Sequence, residues 1–474
     1  MALPPRRDQS IQIMRNSSVH APARLGALAL VIGLSSCAQF SADGGMDDVS
    51  RLTQARAGHA VALQRSQADN EAAQARITQR LGKPLDVEGA AEVALLGNRE
   101  LQAQLAGLGV AEFDWVEAAR LRNPELSLSR LAGGGALEID RSIVVNLLDL
   151  LTKPSQGKVA ELRFERARFE VAAAAVTTAR RAQQAFYDAV AAAQLADYAQ
   201  QVLDTADASR DLAQRMAEAG NLSRLDQLRE QAFQAEAQAA LTRRKQNALT
   251  ARERLMRALG LAGAQVAALQ LPDHLPDVPD TVPVPGEVEQ VAMAQRLDIR
   301  SARLDAEAAA RQLGLTEVTG YVNVLDVGWQ NRSGHSIPAQ RGVTVSVELP
   351  IFDVGGPARS KARAQYLAAL NRAAAVATNA RSQVREAQAA TASAYALARH
   401  YRDEVLPLRQ HIAEENLRRY NGMLIDVFAL LADAREQIAS VTASVEATHD
   451  FWAAQTRLQD AIDGAPNSAE DTPQ

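Results

Sequence analysis

The second half of this 474-residue chain repeats the first at a spacing of about 200 residues, which sharply limits what it can fold into. The run Ala219-Gly220-Asn221-Leu222-Ser223-Arg224-Leu225-Asp226-Gln227-Leu228 has its echo in Asn421-Gly422-Met423-Leu424-Ile425-Asp426-Val427-Phe428-Ala429-Leu430. Val202-Leu203 answers Val405-Leu406, and Asn98-Arg99-Glu100-Leu101 sits where Leu297-Asp298-Ile299-Arg300 returns. Landmarks recurring in one order at nearly one interval are a duplication. Each copy is dominated by alanine-rich helical sequence, pointing to two equivalent helical hairpins and away from a catalytic domain with a single cleft.

Hydrophobic residues reach 47%, largely through alanine, while aromatics are 4% and charged residues 23%. Alanine lets helices approach closely but buries little area per residue, so the expected architecture is elongated bundles and coiled coils. A net charge of -5 gives no electrostatic footprint for nucleic acid.

The N-terminus reads as an export signal. Arg6, Arg7, Arg15 and Arg24 form a basic leader, and residues 25–34 are an apolar core too short to cross a bilayer. Leu34-Ser35-Ser36-Cys37 follows and resembles a bacterial lipobox, in which the cysteine thiol takes a lipid and small residues precede it. Cys37 is the only cysteine, which excludes an internal disulfide and leaves a lipid anchor or an ordinary buried thiol. Ala38 rather than an aspartate after it favours the outer over the inner membrane. The expected divisions are a signal peptide over 1–36, a lipidated tether over 37–84, a first repeat over 85–270, a proline-rich linker over 271–290, a second repeat over 291–462 and a disordered tail over 463–474.

Within each repeat the pattern is helix, strand, turn, strand, then long helices. A helix is expected from Val87 to about Leu121, ended by Asn123-Pro124, because a residue before proline leaves the α region. Alternation over 125–131 and 137–145, around Gly133-Gly134-Gly135, predicts a hairpin; 321–329 and 343–349, around Gly334, predict its counterpart. Residues 155–218 and 357–420 read as helices of roughly 90–100 Å. Each is closed by a glycine, Gly220 or Gly422, after which helix resumes to about Gly260 and Ile462. Pro407 falls inside the second run and is expected to break and bend it, with Asp204 its approximate counterpart.

In this order, the Asn98-Arg99-Glu100-Leu101 opening, Asn123-Pro124-Glu125-Leu126 before the first strand, and Glu348-Leu349-Pro350-Ile351-Phe352-Asp353-Val354-Gly355-Gly356 before the second long helix resemble the TolC-type outer membrane factor family over about residues 85–462. The resemblance implies a mainly α protein with a small β part. Duplicated antiparallel helical hairpins would form an α-barrel, and four strands per protomer would close a shared twelve-stranded β-barrel in a homotrimer. It implies an exit duct in the bacterial outer membrane, anchored at Cys37 with a long periplasmic portion, and passively conducting small molecules or metal ions. A periplasmic adaptor protein and an inner membrane pump would be its partners. Physics agrees on assembly: four isolated strands leave open edges in hydrocarbon, so partners from other chains are needed. Alternation puts Val322, Val324 and Trp329 or their neighbours toward lipid, with the faces left open. A soluble antiparallel sheet is the bland alternative.

By motif match, the adaptor-contact tips are Gly220, Asn221, Leu222 and Ser223, and Gly422, Met423, Leu424 and Ile425, with Leu222, Met423 and Leu424 offering apolar contacts. Asp226, Asp426 and Asp433 are candidate gate carboxylates, since a threefold axis would gather three copies of one aspartate. The second tip departs from the commoner family pattern, so no single gate residue carries over.

No catalytic set is present. His400 and His411 are not at zinc-helix spacing, and no HExxH, Walker loop or GxGxxG occurs, so neither an enzyme nor a metal or other cofactor is expected. Two further readings stand beside the efflux duct: the outer membrane component of type I secretion, and a coiled-coil envelope lipoprotein without a channel. A spacer of that kind has no use for alternating strands of about ten residues.

Overall fold

The computed structural model describes residues 40–134, 136–281, 288–321, 324–335 and 338–464. The signal, Cys37 and Val322 therefore lie outside the described residues, as does the tail from 465.

Three short helices come first: α1 (Met46–Ala57), α2 (Gln67–Leu81) and α3 (Val87–Gly97). The N-terminal part is thus no loose tether, because Val49 of α1 and Ile77 of α2 are fully buried. The helix expected over 87–121 is two helices. Asn98 leaves helical geometry and its side chain accepts the amide of Leu101, opening α4 (Arg99–Ala119). The Asn98 landmark is therefore a helix cap.

Strands β1 (Glu125–Gly133) and β2 (Ala136–Asn146) lead into α5 (Leu147–Glu218), a single 72-residue helix about 108 Å long. It starts eight residues before the expected point, with Pro154 and Gly157 inside. A Cβ at Gly157 would lie 3.2 Å from the Ala119 Cβ, so this glycine lets α4 approach closely. Helix α6 (Arg224–Leu259) returns alongside the far half of α5, followed by the short α7 (Ala264–Ala268). The proline-rich segment then packs as a strap: Leu275 and Val278 are buried, and the Trp452 indole donates to the Pro276 carbonyl at 2.9 Å.

The second copy runs α8 (Val288–Gln295), α9 (Leu297–Thr319), β3 (Leu325–Gly334), β4 (Gln340–Val347), α10 (Gly356–His400), α11 (Leu406–Asn421) and α12 (Val427–Asp463). Pro407 does not break the long helix. A π turn over Tyr401–Val405 joins α10 to α11, the Leu406 amide bonding the Tyr401 carbonyl, so the register shifts where proline lacks a donor.

The return helices, of 36 and 37 residues, cover only about half of the outgoing rods. The other half is covered by α4 and α9, which abut them end to end. Gly260 (φ 70°) ends α6 against the Gly97–Asn98 break, where a Cβ would meet the Gly97 carbonyl at 2.5 Å. Gly464 (φ 70°) ends α12 against Asp298 at the start of α9. Arg296 holds that second joint, pairing with Asp298 at 2.7 Å and donating to the Ala461 carbonyl at 2.6 Å. Asp463, assigned to the tail by sequence, is buried here and accepts from Arg180 at 3.1 Å. The core gathers around α5, where alanines alternate with Phe164, Phe186 and Val190 against α1, α3 and α4.

Candidate functional site

The strands pair in the order β1-β2-β3-β4, all antiparallel, leaving β1 and β4 as edges. Directly paired residues share a face, so the register sorts the side chains. Leu126, Ile143, Trp329 and Val343 form one row; Val145, Val327 and Val345 form the next toward the helices, and Leu325 pairs with Val347 beyond it. The opposite face carries Ser127, Ser129, Ser142, Asp140, Glu138, Gln330, Arg332, Thr344 and Ser346, with Arg332 bonded to Glu138 (2.7 Å) and Asp140 (2.9 Å).

The apolar face is bare: Leu128 is 67% exposed and Val343 71%. The strands do not fold back on their own rods. Strand β3 begins at Leu325, later than the expected Tyr321, and continues to Gly334; by alternation Trp329 shares its face with Leu325 and Val327. Val324 precedes the strand and has the opposite parity. Beyond β4, Leu349, Ile351 and Phe352 are exposed, Phe352 completely. Among the described residues no helix is long and apolar enough to cross a membrane, and no cluster of metal-ligating side chains occurs.

At the far end of the rods, the two tips share a geometry that the sequence echo misaligns by one residue. Helix α5 closes with the Asn221 amide bonding the Met216 carbonyl at 2.8 Å and Gly220 at φ 78°. Helix α11 closes the same way through the Leu424 amide and Arg419 carbonyl at 2.9 Å, but the left-handed position is Met423 (φ 56°), not Gly422 (φ -81°). Gly220 therefore corresponds to Met423, and Ser223 to Asp426, each of which caps the returning helix. Met423 and Leu424 are 93% and 77% exposed, Leu222 and Ile425 are half-buried, and Leu225 and Leu228 extend the apolar surface.

The three candidate gate aspartates are not equivalent. Asp426 accepts the Ala429 amide at 2.7 Å as a cap. Asp226 accepts from the Ser223 hydroxyl at 2.6 Å and pairs with Arg229 at 3.0 Å. Asp433 is half-buried nearly two turns into α12. Sequence reading missed Glu230, buried beside the Ser209 hydroxyl (2.5 Å) and paired with Arg435 at 2.5 Å. Arg435 also stacks 3.9 Å above the Phe233 ring, tying α12 to the first hairpin near the tips. Higher up, His449 of α12 meets Asp188 of α5 at 2.8 Å, and that hydrogen bond raises its pKa above the usual histidine value.

An open antiparallel sheet, mainly apolar on one face and mainly polar on the other, thus stands at one end of twinned helical rods. No family model matches the sequence, and no curated protein matches it. Solved structures do. CusC is 16% identical, with 81% of this chain matched to 94% of that one and a TM-score of 0.67. The outer membrane protein VceC of Vibrio cholerae is 15% identical over 80% of this chain and 97% of its own, at 0.67. The open state of the MtrE outer membrane channel of Neisseria gonorrhoeae is 17% identical over 82% and 89%, at 0.63. The chain has the fold of the TolC-type outer membrane factor family.

Proposed function

We propose that this chain is the outer membrane exit duct of a tripartite efflux system. Three copies close a twelve-stranded barrel in the outer membrane and continue it as a helical tunnel through the periplasm. One observation carries the reading: an uncovered apolar face spans all four strands and ends in two unpaired edges. In water it would drive aggregation; in a bilayer it is satisfied only if β4 of one copy pairs with β1 of the next. The exposed Phe352 and Tyr321 at the helix side of the sheet suit an aromatic girdle at the membrane surface.

The N-terminal segment supports a lipid anchor at Cys37. Ser41 bonds Glu112 of α4 through its amide at 2.7 Å, and the Arg120 guanidinium lies 5.6 Å from the Phe40 ring, beside the start of β1. Cys37 lies three positions before Phe40 in the sequence, at most about 10 Å of extended chain, a distance that suits an anchor near the start of β1.

The duct is passive and catalyses nothing, so an inner membrane pump supplies energy and a periplasmic adaptor joins the two, docking on the tips. Met423 favours that docking. A non-glycine residue held at positive φ costs roughly 1 kcal/mol, and such strain persists where a side chain is needed. Met423→Gly is expected to leave thermal stability unchanged or raise it by up to about 1 kcal/mol, while weakening adaptor capture in pull-downs. A loss of stability with unchanged capture would count against the tip role.

The test of the whole reading is conductance of the detergent-purified protein in planar bilayers, with its mass measured in parallel. A trimer-sized species carrying stable single-channel current is expected. A non-conducting monomer, still silent after Asp226, Asp426 and Asp433 are changed to asparagine, would instead favour a structural lipoprotein.

A further inference from the structure

From the register of the sheet we infer that its outer face carries a binding site for the phosphate groups of a phosphorylated glycolipid in the outer leaflet, built from Arg130, Arg141 and Arg341. The inference rests on the proposed reading of the sheet as a membrane wall. Leu128, Arg141, Asn331 and Arg341 form the row directly beyond Leu126, Ile143, Trp329 and Val343, and Arg130 pairs with Ile139 in the row after that. The three arginines therefore project from the apolar face. All three are exposed. Among the described strand residues no carboxylate shares this face, since Glu125, Glu138, Asp140 and Asp326 all belong to the other one. Arg332 shows the contrast, because on the inner face it is neutralised by Glu138 and Asp140.

Height along the strand fixes the environment of this row. From Val347 to Arg341 β4 rises about 20 Å at 3.4 Å per residue, and the exposed Leu349, Ile351 and Phe352 lengthen the apolar stretch below it. Tilted as barrel strands are, the strand itself climbs about 15 Å, and the segment carrying Leu349, Ile351 and Phe352 extends that toward the ~25 Å apolar band of such walls. The arginines thus sit where hydrocarbon gives way to headgroups, on the hairpin side away from the tunnel helices. An arginine facing acyl chains at the midplane would be costly; at the headgroup level it gains a charge-assisted, bidentate bond to phosphate. Arg141 is already oriented, its Nη1 lying 3.3 Å from both Asn331 Oδ1 and Ser333 Oγ. Arg130 and Arg141 stand diagonally on adjacent strands, Arg341 two strands farther along the row, a spacing that suits a headgroup with more than one phosphate.

The full-length protein in detergent is titrated with purified diphosphoryl lipid A and with the same lipid after dephosphorylation, binding being read by native mass spectrometry. The wild type is expected to retain the phosphorylated lipid. The triple variant Arg130→Gln, Arg141→Gln, Arg341→Gln should bind on the order of a hundredfold more weakly, roughly fivefold for each arginine removed. Arg332→Gln should bind as the wild type does. Equal affinity of wild type and triple variant, equal affinity for the two lipids, or an equal loss in Arg332→Gln overturns the inference. Conductance keeps the two readings apart: a triple variant with wild-type current and wild-type lipid binding refutes only the arginine site, whereas absence of current in the wild type refutes the membrane wall.

Discussion

Gly355→Ala is expected to destabilise the protein by about 3 kcal/mol or more and to prevent the sheet from seating on its rods. Gly355 ends the segment after β4 at φ 78°, and a Cβ there would lie 2.4 Å from the Gly320 carbonyl oxygen and 2.7 Å from the Gly320 Cα. Both obstacles are backbone. Gly320 closes α9 through its amide bond to Thr316 at 2.9 Å, and the Gly355 amide is tied to Asp353 at 2.8 Å, so neither strand-to-helix connection can yield cheaply. The left-handed conformation costs an alanine roughly 1 kcal/mol, and forced overpacking adds about 1–3 kcal/mol. Gly356→Ala is the control, because a Cβ at that position meets nothing within 4 Å. Thermal unfolding followed by helical circular dichroism should separate the pair by many degrees. Coincident melting curves would show that the contact with Gly320 is dispensable.

The joint between α12 and α9 gives the second large effect, and it depends on pH. Burial pushes the Asp460 carboxyl up to about 7, and its Oδ1 finds no hydrogen-bond partner; Arg180 opposes the shift and Asp463 adds to it. Because the folded pKa lies above the unfolded value, the folded state holds a proton that the unfolded chain has released. Stability therefore falls as pH rises from about 4 to about 7 and is level above that. A shift of about three pH units corresponds to at most about 4 kcal/mol. Asp460→Asn is expected to flatten much of that slope and to stabilise the protein at pH 8 by about 2–4 kcal/mol, with little change at pH 4. Some slope remains through Asp463, whose carboxyl burial also raises. Asp463→Asn should behave differently, since it weakens the pairing with Arg180 and Arg56. Melting temperatures of wild type and both variants between pH 4 and 8 check the sign; a wild type that grows more stable across that window contradicts it.

Much of this architecture was legible because its signals are local. The duplication and the hairpins are written in short stretches, whereas Asn98, Ser223 and Asp426, read as a landmark, a tip contact and a gate candidate, are shown to be helix caps only by the backbone. The strand faces were not legible, because alternation fixes which residues go together but not which set is apolar across the whole sheet; grouping Val322 and Val324 with Trp329 mixed two parities, and the pairing register places Trp329 with Leu325 and Val327. The tip alignment failed for a related reason: the identical glycines drew the two copies into register, whereas backbone geometry equates Gly220 with Met423. Nothing local announces that α6 meets α4 or that α12 meets α9, since Gly97 and Gly260 come together only through tertiary packing. The Glu230–Arg435 pair was hidden in the same way, its partners lying in different repeats.

Those end-to-end joints have a mechanical consequence. In each repeat one rod runs from the sheet to the tip while its companion is two struts butted at a glycine. A load on the lower struts therefore passes to the upper ones not through helix backbone but across the Gly97–Gly260 contact in one repeat and the Arg296 and Asp463 pairings in the other.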